Sequence, residues 1–151
     1  MKGRGKSITI LIADDDVEDR MLVAEAFAES HLANQLKFVE DGEQLMDYLH
    51  LCGNYADPAI APRPGLILLD LNMPKKDGHK ALEEIKKDPA LRQIPIVILT
   101  TSHADQDIYR SYDLGVNSFI TKPVTLSALV EVVMTLGKYW FDIVELPPQR
   151  K

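Results

Sequence analysis

Ile8-Thr9-Ile10-Leu11-Ile12-Ala13-Asp14-Asp15-Asp16 passes from a nearly continuous apolar run straight into three carboxylates. The run lacks the strict alternation of a half-solvated strand, which is how strands buried on both faces of a parallel sheet read. Leu66-Ile67-Leu68-Leu69-Asp70 repeats the pattern, and residues 96 to 99 give a third apolar run that ends at Thr100. A carboxylate at the end of a buried strand is costly unless it is solvated or has work to do there.

Helical patterns separate the strands. Residues 17 to 30 carry acids at their start and apolar Met21, Leu22, Ala24, Ala26 and Phe27, and residues 42 to 51 repeat the theme with Leu45, Met46, Tyr48 and Leu49. The pattern predicts a second strand over 36 to 39, closed by Asp41-Gly42, and a third helix over 78 to 87 that ends near Pro89. A fourth helix is predicted over 104 to 114, stopped by Gly115, then a short strand over 118 to 121 and a last helix over 125 to 138 with Thr125 as its N-cap. Five strands alternating with five helices through right-handed crossovers predict a doubly wound α/β fold, a five-stranded parallel sheet with helices on both faces. Its ligand crevice lies at the carboxyl ends of the central strands. Residues 52 to 65 form a longer connection than such folds usually need.

The chain has 151 residues, 46% of them hydrophobic, enough for one well-filled domain. We divide it into a flexible start over 1 to 6, a domain over 7 to 138 and an aromatic extension over 139 to 151. The formal charge of -6 argues against a nucleic-acid footprint, which needs clustered Lys and Arg. Cys52 is the single cysteine, so no intramolecular disulfide forms and a reducing compartment fits. No stretch approaches the roughly 20 apolar residues of a membrane span. A cytoplasmic protein that contacts neither nucleic acid nor membrane is the expectation.

The strand ends bring Asp14, Asp15, Asp70, Thr100 and Lys122 to one sheet edge. Two carboxylates about 4 Å apart repel by roughly 4 kcal/mol at an effective dielectric near 20. A hard dication relieves that repulsion, and Mg2+ suits a site with few carboxylates, waters and a phosphate oxygen. Acid, hydroxyl and ammonium groups at one place therefore imply a divalent cation beside a phosphoryl group. Glu18 and Asp19, in the first turn of a helix, are assigned to its dipole instead. His31, His50, His79 and His103 show no metal-site spacing.

Asp14-Asp15, Asp70-Leu-Asn-Met-Pro-Lys-Lys-Asp-Gly78, Thr100-Thr-Ser and Lys122-Pro123, in that order and spacing, resemble the receiver domain of two-component response regulators. The resemblance implies a flavodoxin-like sheet of strand order 2-1-3-4-5. It implies Asp70 as phosphoacceptor, served by Lys122 and Thr100 on the phosphoryl oxygens. Mg2+ would be held by Asp15, Asp70 and the backbone carbonyl of Asn72, with Asp14 on a metal-bound water. Pro123 would follow a cis peptide, Thr100 and Phe119 would form the switch, and Asn72 and Ser102 would flank the hydrolytic water. The donor would be a histidine kinase or a small phosphodonor, and the protein a switch without a separate substrate.

Lys138-Tyr-Trp-Phe-Asp-Ile-Val-Glu-Leu-Pro-Pro148, the long connection and Thr100-Thr-Ser-His are similar to the single-domain regulators of bacterial phytochromes. That likeness implies a phytochrome kinase as partner and a homodimer built on the fourth helix, fifth strand, fifth helix and tail. Three adjacent aromatics point in different directions, so Tyr139, Trp140 and Phe141 are expected at the dimer interface. Two other classes remain to be weighed. A phosphatase of the aspartyl-phosphate type wants an Asp two residues after its nucleophile, where Asn72 stands. A phosphate-independent dimeric interaction module would have no use for intact Asp15, Asp70, Thr100 and Lys122.

Overall fold

The computed structural model describes residues 8–32, 34–123 and 125–143, the last three as backbone only. The start over 1 to 6, the side chain of Phe141 and the tail from 144 onward lie outside the described residues. Five strands, β1 (Thr9–Ala13), β2 (Gln35–Val39), β3 (Leu66–Leu69), β4 (Ile96–Thr100) and β5 (Ser118–Thr121), alternate with five helices. These are α1 (Val17–Glu29), α2 (Gly42–His50), α3 (Gly78–Lys87), α4 (Asp105–Asp113) and α5 (Leu126–Gly137). All strand pairs are parallel and the sheet order is β2-β1-β3-β4-β5, as the resemblance implies.

Alternation along each strand divides the core in two. Leu11, Ala13, Ile67, Leu69, Ile96 and Ile98 pack with α2 and α3 through Leu45, Met46, Ala81, Leu82 and Ile85. Ile10, Ile12, Leu66, Leu68, Val97 and Leu99 pack with α1 and α5 through Val23, Ala26, Phe27, Leu129 and Val133. Both sets are apolar because both faces of the sheet are covered. In α1 the buried stripe is Val23, Ala26 and Phe27, while Met21 is 67% exposed. Met21 sits two residues before Val23, about 200° around the helix, so the apolar face read from sequence was rotated.

Local chemistry fixes the helix starts. Asp16, Asp41, Asp77 and Thr125 each accept a backbone N–H of the following helix with their side chains, at α1, α2, α3 and α5. Ala104, before α4, has no side chain able to do so. Gly78 opens α3 directly beneath the end of β3. A Cβ there would stand 2.5 Å from the Asp70 carbonyl oxygen and 2.7 Å from the Leu71 Cα, so any side chain would displace the segment that carries Asp70.

The long connection is ordered by its own contacts. It opens with a tight turn at Gly53–Tyr55, whose Tyr55 ring lies 5.4 Å from that of Tyr48 in a tilted arrangement. Tyr48 is buried and donates its hydroxyl to the Pro62 carbonyl at 2.7 Å. After α5 the chain continues as one wide turn, Lys138–Ile143. Among the described residues no peptide bond is cis, so the bond before Pro123 is trans, contrary to the expectation. The preference between isomers at proline is only about 0.5–1 kcal/mol. The trans form leaves Lys122 donating its N–H to the Thr100 carbonyl at 2.7 Å.

Burial, aided by the neighbouring Tyr55, pushes the Tyr48 hydroxyl up to about 12 from its ordinary value of 10.0. Its contribution to stability is therefore intact below pH 10 and is lost as the pH rises from 10 to about 12, where only the unfolded chain ionises. Denaturant unfolding should show this decline across that window. Tyr48→Phe should flatten it, at a neutral-pH cost of about 1 kcal/mol for the lost hydrogen bond.

Candidate phosphoacceptor and metal site

Register brings the site together. Ala13 pairs with Leu69, so Asp14 and Asp70 leave adjacent strands at one level; Thr100 pairs with Thr121, so Lys122 emerges beside them. Asp70 donates its backbone N–H to the Ala13 carbonyl at 3.0 Å, and Asp14 donates to the Val39 carbonyl at the same distance. The carboxylates are thereby anchored at their backbones to the sheet.

Asp70 is buried, and each of its oxygens is engaged. Its Oδ1 accepts the Thr100 hydroxyl at 2.7 Å and the Asn72 N–H at 3.2 Å, while Oδ2 accepts Lys122 Nζ at 3.0 Å. Asp14 is equally buried, its Oδ1 accepting the Asp16 N–H at 3.0 Å and its Oδ2 Lys122 Nζ at 2.6 Å. Asp15 lies exposed at the rim. One oxygen from each of Asp14, Asp15 and Asp70 falls within 4.8 Å of the others. Such a hard, all-oxygen, partly open donor set fits a small divalent cation.

Burial and charge pull against each other in this cluster. Burial raises the Asp14 carboxyl above the ordinary carboxylate range, with the hydrogen bond from Lys122 opposing it. For Lys122 burial works against the charge, but the hydrogen bonds it donates to Asp14 and Asp19 and the charge of Asp70 outweigh it and raise the ammonium well above the usual lysine range. The ammonium stays charged and holds the carboxylates together. A buried carboxylate with an ammonium and a hydroxyl aimed at it, beside donors for a dication, is an arrangement suited to transfer of a phosphoryl group to oxygen.

Residues 10–134 match the model of the response regulator receiver domain. The chain belongs to that family. This receiver is 43% identical to the response regulator Rcp1 of Synechocystis over 138 residues, 91% of this chain and 92% of the relative. It is similar in structure to the phosphorylated cyanobacterial phytochrome response regulator RcpA, with a TM-score of 0.87 at 44% identity, covering 95% of this chain and 100% of the other. The Mn(2+)-bound form of Rcp1 gives a TM-score of 0.84 at 42% identity, over 93% of this chain and 99% of that one. A response regulator in red light signalling of R. palustris gives 0.89 at 34%, over 94% and 99%.

Around the receiver site the structure adds contacts that the sequence did not show. Asp19 places Oδ2 2.7 Å from Lys122 Nζ, beyond the helix-dipole role assigned to it. The Arg20 guanidinium donates to the Asp14 carbonyl at 2.7 Å. Ser102 directs its N–H to Thr100 Oγ1 at 3.4 Å and donates its hydroxyl to Asp107 on α4 at 2.6 Å. Buried His79 meets buried Ser111 at 3.0 Å, tying α3 to α4. Asp19, four residues after Asp15 on a helix leaving the same strand end, was the one detectable by spacing.

The other expected residues fall in different settings. Phe119 is half-buried against the core cluster on the α2 and α3 side. Trp140 is 5% exposed and belongs to the chain's own cluster on the α1 and α5 side, so, contrary to the expectation, it is unavailable to a partner; an indole of that size seals apolar surface there. Tyr139, edge-on to it at 5.3 Å, is 51% exposed.

Because the clustered carboxylates repel, Mg2+ should raise the unfolding midpoint of the intact chain. Asp15→Asn should abolish most of that rise and lift the metal-free midpoint. Calorimetric melting with and without Mg2+ measures both; a midpoint indifferent to Mg2+ in the intact chain contradicts the site.

Proposed function

We propose that this chain is a phosphorylatable switch that receives its phosphoryl group from a histidine kinase, a phytochrome kinase. The observation that carries the reading is the convergence of Lys122 and Thr100 on the two oxygens of Asp70, beside carboxylates suited to a cation. The relatives described as phytochrome response regulators support the choice of kinase.

In the transfer, a carboxylate oxygen of Asp70 attacks the phosphorus of a phosphohistidine. The P–N bond breaks, the new P–O bond forms an acyl phosphate, and the imidazole leaves neutral, keeping the electron pair of the broken bond on one nitrogen and the proton already carried on the other. Asp14, Asp15, Asp70 and the Asn72 backbone carbonyl would hold Mg2+, which when bound neutralises charge on the phosphoryl oxygens. Thr100 redirects its hydroxyl from Asp70 to those oxygens, and Lys122 turns one of its three donors to them. The protein's own chemistry ends there, with later hydrolysis of the acyl phosphate, and it acts on no separate substrate.

The switch runs through Thr100. Its hydroxyl already meets Asp70, and its Oγ1 is linked through Ser102 to Asp107 in the first turn of α4. A phosphoryl group that recruits Thr100 biases this chain of contacts, and with it Phe119 and the face formed by α4, β5 and α5. A ligand shifts such an equilibrium only by its differential affinity for the two states. Tyr109 and Tyr112 on α4, Met134 on α5 and Tyr139 are exposed, which suits that face to homodimerisation. The acidic chain is assigned to the cytoplasm, away from nucleic acid and membrane; among the described residues no helix is long and apolar enough to cross a membrane.

Asp70→Asn should abolish incorporation of label from a phosphodonor in Mg2+, and undiminished labelling of that variant overturns the assignment. Sedimentation tests the dimer separately. Tyr139→Glu should lower the mass toward that of a monomer while leaving the fold intact, whereas truncation would also remove buried Trp140. An unchanged mass removes Tyr139 from the interface.

A further inference from the structure

An ammonium has three N–H donors, and at Lys122 three carboxylates take them: Asp14 at 2.6 Å, Asp19 at 2.7 Å and Asp70 at 3.0 Å. A phosphoryl oxygen arriving at Asp70 can be met by Lys122 only if one of these partners lets go. The three are not equivalent. The side chains of Asp14 and Asp70 are 3% and 8% exposed, against 33% for Asp19. Releasing a carboxylate into water costs least where it is already part-hydrated. Asp14 and Asp70 also belong to the oxygen cluster that fits a cation, and Asp19 does not. Its backbone N–H is fixed by the Asp16 side chain, so Asp19 can swing outward without disturbing the start of α1.

Resting on the receiver reading above, we propose that Asp19 is a positioning residue that holds the Lys122 ammonium over the acceptor before transfer and yields its place to the phosphoryl group. It competes with the incoming anion, and so sets how tightly the site takes one. Removing its charge frees one donor of Lys122 and makes the surrounding field less negative. A tetrahedral anion on Asp70 then binds more tightly, and a cation arriving before the anion binds less tightly. Damage to the fold would weaken both.

Fluoroberyllate, which mimics a phosphoryl group on a carboxylate, and Mn2+ probe the two halves. Binding of each is measured on the intact chain, Asp19→Asn, Asp19→Glu and Asp70→Asn, fluoroberyllate by fluorine NMR at saturating Mg2+ and Mn2+ by electron paramagnetic resonance. Asp19→Asn should bind fluoroberyllate about fivefold or more tightly and Mn2+ more weakly, while Asp19→Glu stays near the intact chain in both. If the intact chain fails to bind fluoroberyllate, or Asp70→Asn binds it equally well, the receiver reading itself falls. If the intact chain binds it through Asp70 but Asp19→Asn is unchanged, or weaker toward both probes, the reading stands and the role of Asp19 is overturned.

Discussion

One ammonium set among four carboxylates governs this molecule. Lys122 bonds to Asp14, Asp19 and Asp70, and Asp15 completes the acidic cluster at the rim. Charges so close are tolerated only if opposite charge or solvent compensates them, and two of the carboxylates are almost fully buried. The stress is local and arises from the register of the sheet, since Asp14 and Asp70 follow strands whose last residues pair directly. Stability thus depends on how that repulsion is relieved at a single sheet edge.

Much of this was legible in the chain. Apolar runs without alternation signalled strands covered on both faces, and the structure buries every residue of β3 and β4. Punctuation by Asp41-Gly42, Gly78 and Gly115 located the ends of elements to within a residue or so, because side-chain caps and glycine act over a single turn. Asp14, Asp15, Asp70, Thr100 and Lys122 could be gathered because strand ends in a parallel sheet share one edge.

What escaped sequence reading depended on rotation about an axis or on pairs distant in sequence. Met21 and Val23 are both apolar, and only packing decides which one faces the sheet. His79 and Ser111 are 32 residues apart and meet only because α3 and α4 lie side by side. Asp19 was read as a charge complementing a helix dipole, which its position allows, but the same position faces the strand ends. Three consecutive aromatics pointing in different directions were expected at a partner interface, whereas the wide turn after α5 sends Trp140 inward and leaves Tyr139 outside.

That inward indole changes what counts as the end of the folded unit. Its cluster includes Ile10, Phe27 and Leu136, drawn from the first strand, the first helix and the last. The polypeptide after the final helix therefore serves as a plug for the α1 and α5 side of the sheet. A proteolytic nick or a fusion junction introduced at Lys138 would pull that plug and bare hydrocarbon to water, so hinges and grafted modules are tolerated only farther along the backbone.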